Sequence, residues 1–274
     1  MRYLKMNGAG NDFVIFDARA RGRFDLTPDA ARAIADREAG VGCDQIIAME
    51  HSARGDAFMR IWNADGGEVE ACGNAARCVG WLLMQETSKP AASIETVGGL
   101  LQAANAGLQR VSIDMGPPRL AWNEIPVARE TDTVRMDYTA LLPNGDALTG
   151  PGGVSMGNPH AVFFVADADA IPAAAIGPQI EHDAFFPKRV NVGFAQILSP
   201  SAMRLRVWER GAGLTKACGT GACAAVVAAH RAGLTGRKVS VRVDGGELEI
   251  DWREDGHVIM TGPVAMERVG EMAA

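Results

Sequence analysis

The feature that most limits what this chain can fold into is a repeat with a period close to half its length. Ala71-Cys72-Gly73-Asn74-Ala75-Ala76 returns as Ala217-Cys218-Gly219-Thr220-Gly221-Ala222. Arg60-Ile61-Trp62 precedes the first cysteine as Arg206-Val207-Trp208 precedes the second, and both the cysteines and the tryptophans are 146 residues apart (218 − 72, 208 − 62). Further upstream, Val41-Gly42-Cys43-Asp44-Gln45-Ile46 is echoed by Val192-Gly193-Phe194-Ala195-Gln196-Ile197, and Gly10-Asn11 by Gly157-Asn158. Solenoids repeat every ~20 to 50 residues, so a period this long means two copies of one domain. At 274 residues each copy is long enough to bury its own core. Two such lobes facing each other are expected to set equivalent residues across a cleft.

Composition narrows the class. Hydrophobic residues at 47% and charged residues at 22% are ordinary for a folded globular chain. A net charge of −6 without a Lys/Arg-rich run leaves no basic footprint, so nucleic acid is not an expected partner. No apolar stretch approaches the roughly 20 residues of a membrane span; the longest, Ala222 to Ala229, falls far short. Five cysteines form no disulfide-scaffold pattern, and Met1-Arg2-Tyr3-Leu4-Lys5 lacks the apolar run of a signal peptide. A cytoplasmic protein with reduced thiols is the expectation.

Residue patterns predict mostly strands with a few helices. β-branched and apolar runs bounded by Gly, Asn and Asp mark strands at 12–16, 45–49, 58–62, 93–97 and 108–114 in the first half. In the second half they fall at 134–141, 161–165, 190–197, 205–208, 238–243, 247–252 and 258–260. Thr27-Pro28 opens a helix expected to run to Glu38 before Gly40, and further helices are expected at 73–85 and 219–232. The last of these is apolar on every face until His230 and Arg231, so it should be buried. Met115-Gly116-Pro117-Pro118 breaks the pattern and divides residues 1–117 from 118–262, while 143–146 and 150–153 read as turns. Sheet wrapped around a central helix, in each of two similar domains, is the architecture these patterns predict.

A cysteine at the mouth of such a helix meets unpaired N–H groups and a partial positive charge, which favour the thiolate. The same groups form an anion site. A carboxylate held there would place its Cα beside the sulfur, so that one thiolate takes the Cα proton while an opposing thiol returns one to the other face. The bland alternative, an inert packing cysteine, fits Cys78 and Cys223 inside their helices and leaves Cys43 open; it is weaker for the duplicated Cys72 and Cys218. Spacings of Cys-x5-Cys and Cys-x4-Cys in apolar helix argue against zinc. Gly219-Thr220-Gly221-Ala222-Cys223-Ala224 matches a dinucleotide fingerprint, with Asp244 at the right distance, but the preceding strand is expected to end near Trp208, ten residues too early. His160 after Asn158-Pro159 could tune a thiol or serve a loop. His51, His182, His230 and His257 have no companions.

Taken together, Asn7-Gly8-Ala9-Gly10-Asn11-Asp12-Phe13, Asn63-Ala64-Asp65-Gly66, Cys72-Gly73-Asn74 with Arg77, Gly157-Asn158-Pro159-His160, and Glu209-Arg210-Gly211 with Cys218-Gly219-Thr220-Gly221-Ala222 resemble the diaminopimelate epimerase family in order and spacing. The resemblance implies cofactor-independent interconversion of LL- and meso-2,6-diaminopimelate in lysine and peptidoglycan-precursor biosynthesis, without metal or pyridoxal phosphate. It also implies the α+β fold class, with two pseudo-symmetric domains, each a mixed sheet curled round a central helix, a C-terminal tail, 263–274, that rejoins the first domain, and a homodimer. Cys72 and Cys218 would be the base and acid, exchanging roles with direction. Gly73, Asn74, Gly219 and Thr220 would cradle the reacting carboxylate. Asn11, Gln45, Asn63, Asn158, Asn191, Glu209 and Arg210 would supply the remaining substrate contacts, and His160 and Glu209 would adjust thiol pKa values. Gly67 and Ala75 depart from the family's common Ser and Gly, and Cys43 adds a thiol. Proline-racemase-like chemistry and a Cys72/Cys218 redox switch are the alternatives these residues leave open.

Overall fold

The structure is a computed structural model that describes residues 1–70 and 72–272; Ala71 of the first cysteine motif and the final two residues of the 263–274 tail lie outside the described residues. The chain divides into two compact units, residues 1–114 with 261–274, and residues 115–260.

The first unit contains β1 (Arg2–Gly8), β2 (Asn11–Asp17), α1 (Pro28–Ala35), β3 (Gln45–Glu50), β4 (Ala57–Asn63), β5 (Glu68–Val69), α2 (Gly73–Thr87), β6 (Ala91–Thr96), β7 (Gly99–Asn105) and β8 (Arg110–Asp114). β1 pairs antiparallel with β2, β2 parallel with β3, β3 antiparallel with β4, and β4 parallel with β6, which continues antiparallel to β7 and then β8. Both faces of this sheet are buried at β2 and β3, whereas β6 to β8 bury one face. Along β2, Val14 and Phe16 pack with Ala31 and Ile34 of α1, while the alternate residues Phe13 and Ile15 are fully buried on the opposite face. α2 occupies the other side, with Ala75, Ala76, Cys78, Val79 and Leu83 buried.

The second unit contains β9 (Thr139–Leu141), β10 (Ala147–Thr149), β11 (Gly152–Ser155), β12 (Pro159–Phe164), α3 (Ala173–Glu181), β13 (Asn191–Ser199), β14 (Ala202–Glu209), β15 (Gly213–Thr215), α4 (Gly219–Arg231), β16 (Lys238–Val243) and β17 (Gly246–Trp252). Apart from the β9–β10 hairpin, its pairing repeats the first unit: β11 antiparallel to β12, β12 parallel to β13, β13 antiparallel to β14, and β14 parallel to β16. α4 is buried along its length from Gly221 to Ala229, as its all-apolar composition requires. β18 (Val258–Pro263) leads back to the first unit, where β19 (Ala265–Glu271) pairs antiparallel with β1.

Several elements differ from expectation for identifiable reasons. α1 stops at Ala35 rather than Glu38, because the Asp36 carboxylate accepts the amides of Glu38 and Ala39 and turns the chain out of the helix. Gly152-Gly153 is strand rather than turn. A Cβ on Gly152 would lie 2.9 Å from the Ala228 Cβ, so glycine here admits α4 against the sheet. α3 was hidden by Gly177 and by Pro178 in its interior. Of the strand expected at 134–141, only Thr139–Leu141 forms.

The register also revises the repeat. Ile46 faces Trp62 and Val192 faces Trp208, so Ile46 and Val192 are equivalent and the true partner of Gln45 is Asn191. The echo that matched Gln45 with Gln196 is a coincidence of composition five residues out of register. By the same pairing, Phe13 opposite Gln45 corresponds to His160 opposite Asn191.

Candidate active site

In each unit, parallel pairing of two strands and antiparallel pairing of a third bring two strand starts and one strand end to the same margin of the sheet. In the first unit these are Asn11 at the start of β2, Gln45 at the start of β3 and Asn63 at the end of β4. Gln45 Nε2 donates to Asn63 Oδ1 at 2.9 Å. The mouth of α2 belongs to this margin, because Asn74 Nδ2 donates to Asn11 Oδ1 at 2.5 Å. Cys72 is the extended N-cap of α2, with φ −146° and ψ 112°, and Gly73 and Asn74 follow it, both buried.

The second unit places Asn158 just before β12, His160 in it, Asn191 at the start of β13 and Glu209 at the end of β14. Asn158 Nδ2 donates to Thr220 Oγ1 at 3.1 Å, joining the mouth of α4 to the sheet as Asn74 does for α2. Asn191 is spanned by backbone at both ends: its Nδ2 donates to Pro159 O at 2.8 Å and its Oδ1 accepts the Arg210 amide at 2.9 Å. That amide bond fixes the turn bearing Arg210, whose guanidinium also donates to Lys188 O at 3.1 Å. Gly219 opens α4 behind Cys218 and is buried.

The two cysteines occupy the same backbone position but not the same chemistry. Cys218 is 4% exposed, and its Sγ accepts the Gly221 amide at 3.3 Å and lies 3.6 Å from Thr220 Oγ1. The bond is possible because Gly221 lacks a Cβ: one built there would sit 3.1 Å from the sulfur. Ala75 holds the equivalent position in α2, and the Cys72 side chain makes no such cap bond. The departure at Ala75 therefore sets the two thiols apart.

The expectation that a helix mouth lowers the thiol pKa does not hold for Cys218. Burial pushes its pKa well above the ordinary value, the Glu209 charge adds to this, and hydrogen bonds from Thr220 and Gly221 oppose it without prevailing. Glu209 is also pushed up by burial, against hydrogen bonds from Thr215 Oγ1 and from the Cys218 thiol. The pair is accordingly a thiol donating to a carboxylate. His160, 1% exposed, is held neutral, its pKa lowered to about 3 by burial and by the Arg210 charge. Its Nε2 lies 3.1 Å from Asn158 Oδ1, an acceptor, so Nε2 carries the proton. Its partners are thus Asn158 and Arg210.

Sequence reasoning passed over two residues that hold this machinery. Thr215, three residues before Cys218, has no motif to announce it. Glu181, 2% exposed at the end of α3, accepts the Trp208 indole N–H at 2.7 Å and the Gly211 amide at 3.0 Å, gripping the Glu209-Arg210 turn from both sides. The other cysteines are packing residues: Cys43 and Cys78 are buried, and desolvation first of all pushes each thiol up to about 12. Cys223 is buried inside α4. The strand directly before α4 is β15, antiparallel to β14, so the glycine pattern at Gly219 does not follow a parallel strand directly, as the dinucleotide fingerprint requires. Among the described residues no cluster of three or more His, Cys, Asp or Glu is arranged to hold a metal, and no helix is long and apolar enough to cross a membrane.

Comparison with known proteins agrees with this architecture. The solved structures it resembles include a probable proline racemase from Agrobacterium radiobacter K84 (TM-score 0.71, 17% identity, covering 99% of this chain and 92% of that one). A predicted epimerase from Pseudomonas aeruginosa is similar in fold (TM-score 0.69, 16% identity, 100% and 99% covered). At the level of sequence, the chain is 59% identical to a diaminopimelate epimerase of Phenylobacterium zucineum over 98% of this chain and 97% of the relative. It is 54% identical to one of Acidiphilium cryptum over 99% and 96%. The family model described as diaminopimelate epimerase matches residues 3–121 and 153–267. The chain belongs to the diaminopimelate epimerase family.

Proposed function

We propose that this isomerase interconverts LL- and meso-2,6-diaminopimelate by transferring protons between one substrate Cα and the thiols of Cys72 and Cys218. The observation that carries the reading is that each unit places a cysteine at the extended N-cap of a buried helix, beside polar side chains at the sheet margin. Inversion at carbon needs a base on one face of Cα and an acid on the other. In the direction where Cys218 is the acid it is ready as found, a thiol facing a carboxylate. Cys72 as thiolate takes the Cα proton, negative charge spreads into the carboxylate, and Cys218 delivers its proton to the opposite face. In the reverse direction Cys218 must first become the thiolate, and Glu209 can accept its proton, leaving the net charge of the pair unchanged.

Backbone amides at Gly73 and Gly219, with Asn74 and Thr220, supply donors for the reacting carboxylate and its enolate-like charge. Asn11, Gln45, Asn63, Asn158, Asn191, Glu209 and Arg210 bind the rest of the substrate, Arg210 offering a forked pair to the distant carboxylate. His160 acts as a neutral donor that orients Asn158. No step calls for a cofactor. A homodimer in the cytoplasm is part of the same reading and rests on the family resemblance.

The test is proton NMR of LL-diaminopimelate in D2O with reduced protein. Loss of the Cα–H signal with appearance of the meso isomer, abolished in both Cys72→Ala and Cys218→Ala, is the expected result. Full epimerisation by either single variant would remove the two-thiol mechanism.

A further inference from the structure

Arg77 is fully buried in the first turns of α2. A cation there is opposed by the helix dipole and by desolvation, so its retention calls for an explanation. A hydrogen-bonded chain of one sense supplies it. Arg77 Nη1 donates to Asn74 Oδ1 at 2.9 Å, Asn74 Nδ2 donates to Asn11 Oδ1 at 2.5 Å, and Asn11 Nδ2 donates to Asp44 Oδ2 at 3.3 Å. Asp44 is held by Arg37 at 2.7 Å and by the Asp12 amide at 3.1 Å.

A primary amide can present either end to a neighbour, and two amides in series can run in either sense. Here one terminus is a guanidinium, which can only donate, and the other is a carboxylate, which can only accept. Only one sense satisfies both. Each amide oxygen is thereby turned toward a donor within this hydrogen-bonded series. Reversal would turn carbonyl oxygens toward an anion at the helix mouth.

We propose that Arg77 and Asp44 are positioning residues that lock the sense of the Asn74–Asn11 amide pair, so that neither amide carbonyl is turned toward the substrate carboxylate at the mouth of α2. This rests on the reading above that the carboxylate binds there. The second unit does not use the device: Cys223 and Val190 stand at the positions equivalent to Arg77 and Asp44, and Asn158 is oriented by His160 instead.

The experiment is a double-substitution cycle in the full chain. Arg77→Gln and Asp44→Asn each make one terminus neutral as to sense while keeping a polar group of similar size. Either remaining terminus still sets the sense, so each single variant should lose no more than about 5-fold in kcat/KM, and the double variant at least about 50-fold, mostly in KM. Losses that simply multiply, or that fall on kcat with KM unchanged, would overturn the proposal. Arg77→Lys, still only a donor, should rescue the Asp44→Asn background to the single-variant level. Should Arg77→Gln fail to fold, Asp44→Asn and Asp44→Lys are compared instead. Lysine makes both termini donors and should raise KM by about 30-fold, while equal behaviour of the two refutes the relay. A substrate-free readout separates this idea from the functional one. In 15N-labelled protein the Asn11 and Asn74 side-chain NH2 groups should each give one pair of resonances in the wild type and two in the double variant. Single pairs in both proteins overturn the relay whether or not the enzyme turns over diaminopimelate.

Discussion

His160 offers a prediction whose size follows from its surroundings. Burial and the Arg210 charge lower its pKa from about 6.5 to about 3, so the folded protein refuses a proton that the unfolded chain accepts. The folded-state pKa is depressed for a base, so the neutral form is the one the fold accommodates. Nothing is lost at pH 7. As pH falls below about 6.5, the unfolded state gains a proton and the folded state does not, and stability declines by about 1.4 kcal/mol per unit until about pH 3. Between pH 7 and pH 5 this one group should remove about 2 kcal/mol.

The substitution to make is His160→Phe, because phenylalanine stands at the equivalent Phe13. The larger ring could cost about 1–3 kcal/mol by overpacking at any pH, so the quantity to read is the difference between two pH values. Urea unfolding at pH 7 and pH 5 supplies it, with His160→Gln as a smaller neutral control. Both variants should lose about 2 kcal/mol less than the wild type over this interval. If all three proteins lose the same stability, His160 is not the buried neutral group described.

Two further substitutions probe the supports of Glu209. In Gly177→Ala a Cβ would lie 2.4 Å from Trp208 Cγ, so α3 or β14 must shift; a destabilisation of about 1–3 kcal/mol by urea titration, with a lowered kcat/KM, is expected. Thr215→Val installs the residue found at the equivalent Val69 and removes a hydrogen bond that holds Glu209 ionised. The Glu209 pKa should rise, moving the acid limb of the kcat/KM profile to higher pH, and an unmoved limb would separate Thr215 from the proton balance.

The duplication, the burial of α4 and the paired cysteines were legible in the sequence because each leaves a local trace: a motif repeated at 146 residues, an unbroken apolar run, a Gly just after Cys. The sheet margins were legible only through the family resemblance, since nothing local in Asn63 or Asn191 announces a strand end or start. β1 and β19 escaped because they pair with each other from opposite ends of the chain and carry charges amid their apolar residues. The false echo at Gln196 shows what short matches cannot decide. Two strands can share Val-Gly and Gln-Ile, and only the facing tryptophans fix which residues correspond. The thiol environments were the least legible. The helix-mouth argument treats both cysteines alike, whereas the Cys218 pKa is decided by burial and by Glu209, nine residues earlier in sequence.

Equivalent positions in the two units carry different chemistry, and the differences run in one direction. Asn11, Phe13, Gln45, Asn63 and Val69 in the first unit correspond to Asn158, His160, Asn191, Glu209 and Thr215 in the second. The first set contains no group that ionises, while the second contains an acid and an imidazole. In the first unit the charges stand one step back, on Arg77 and Asp44, which are hydrogen-bonded to Asn74 and Asn11. In the second, Glu209 is itself in contact with the sulfur. Duplication explains why two cysteines reach matching backbone positions. It cannot explain how one sulfur would act as base and the other as acid, as the proposed two-thiol mechanism requires, because identical surroundings would give both sulfurs the same proton affinity. The Asn63/Glu209 and Val69/Thr215 differences break that degeneracy: the Glu209 carboxylate, which also accepts from Thr215, is hydrogen-bonded to Cys218, and the neutral Asn63 offers Cys72 no ionisable partner of that kind. The bias must be small enough to invert when the reaction runs backward. In the proposed two-thiol mechanism a carboxylate in contact with the thiol meets that condition, because it can accept the Cys218 proton when that sulfur must become the thiolate, and the net charge of the pair does not change.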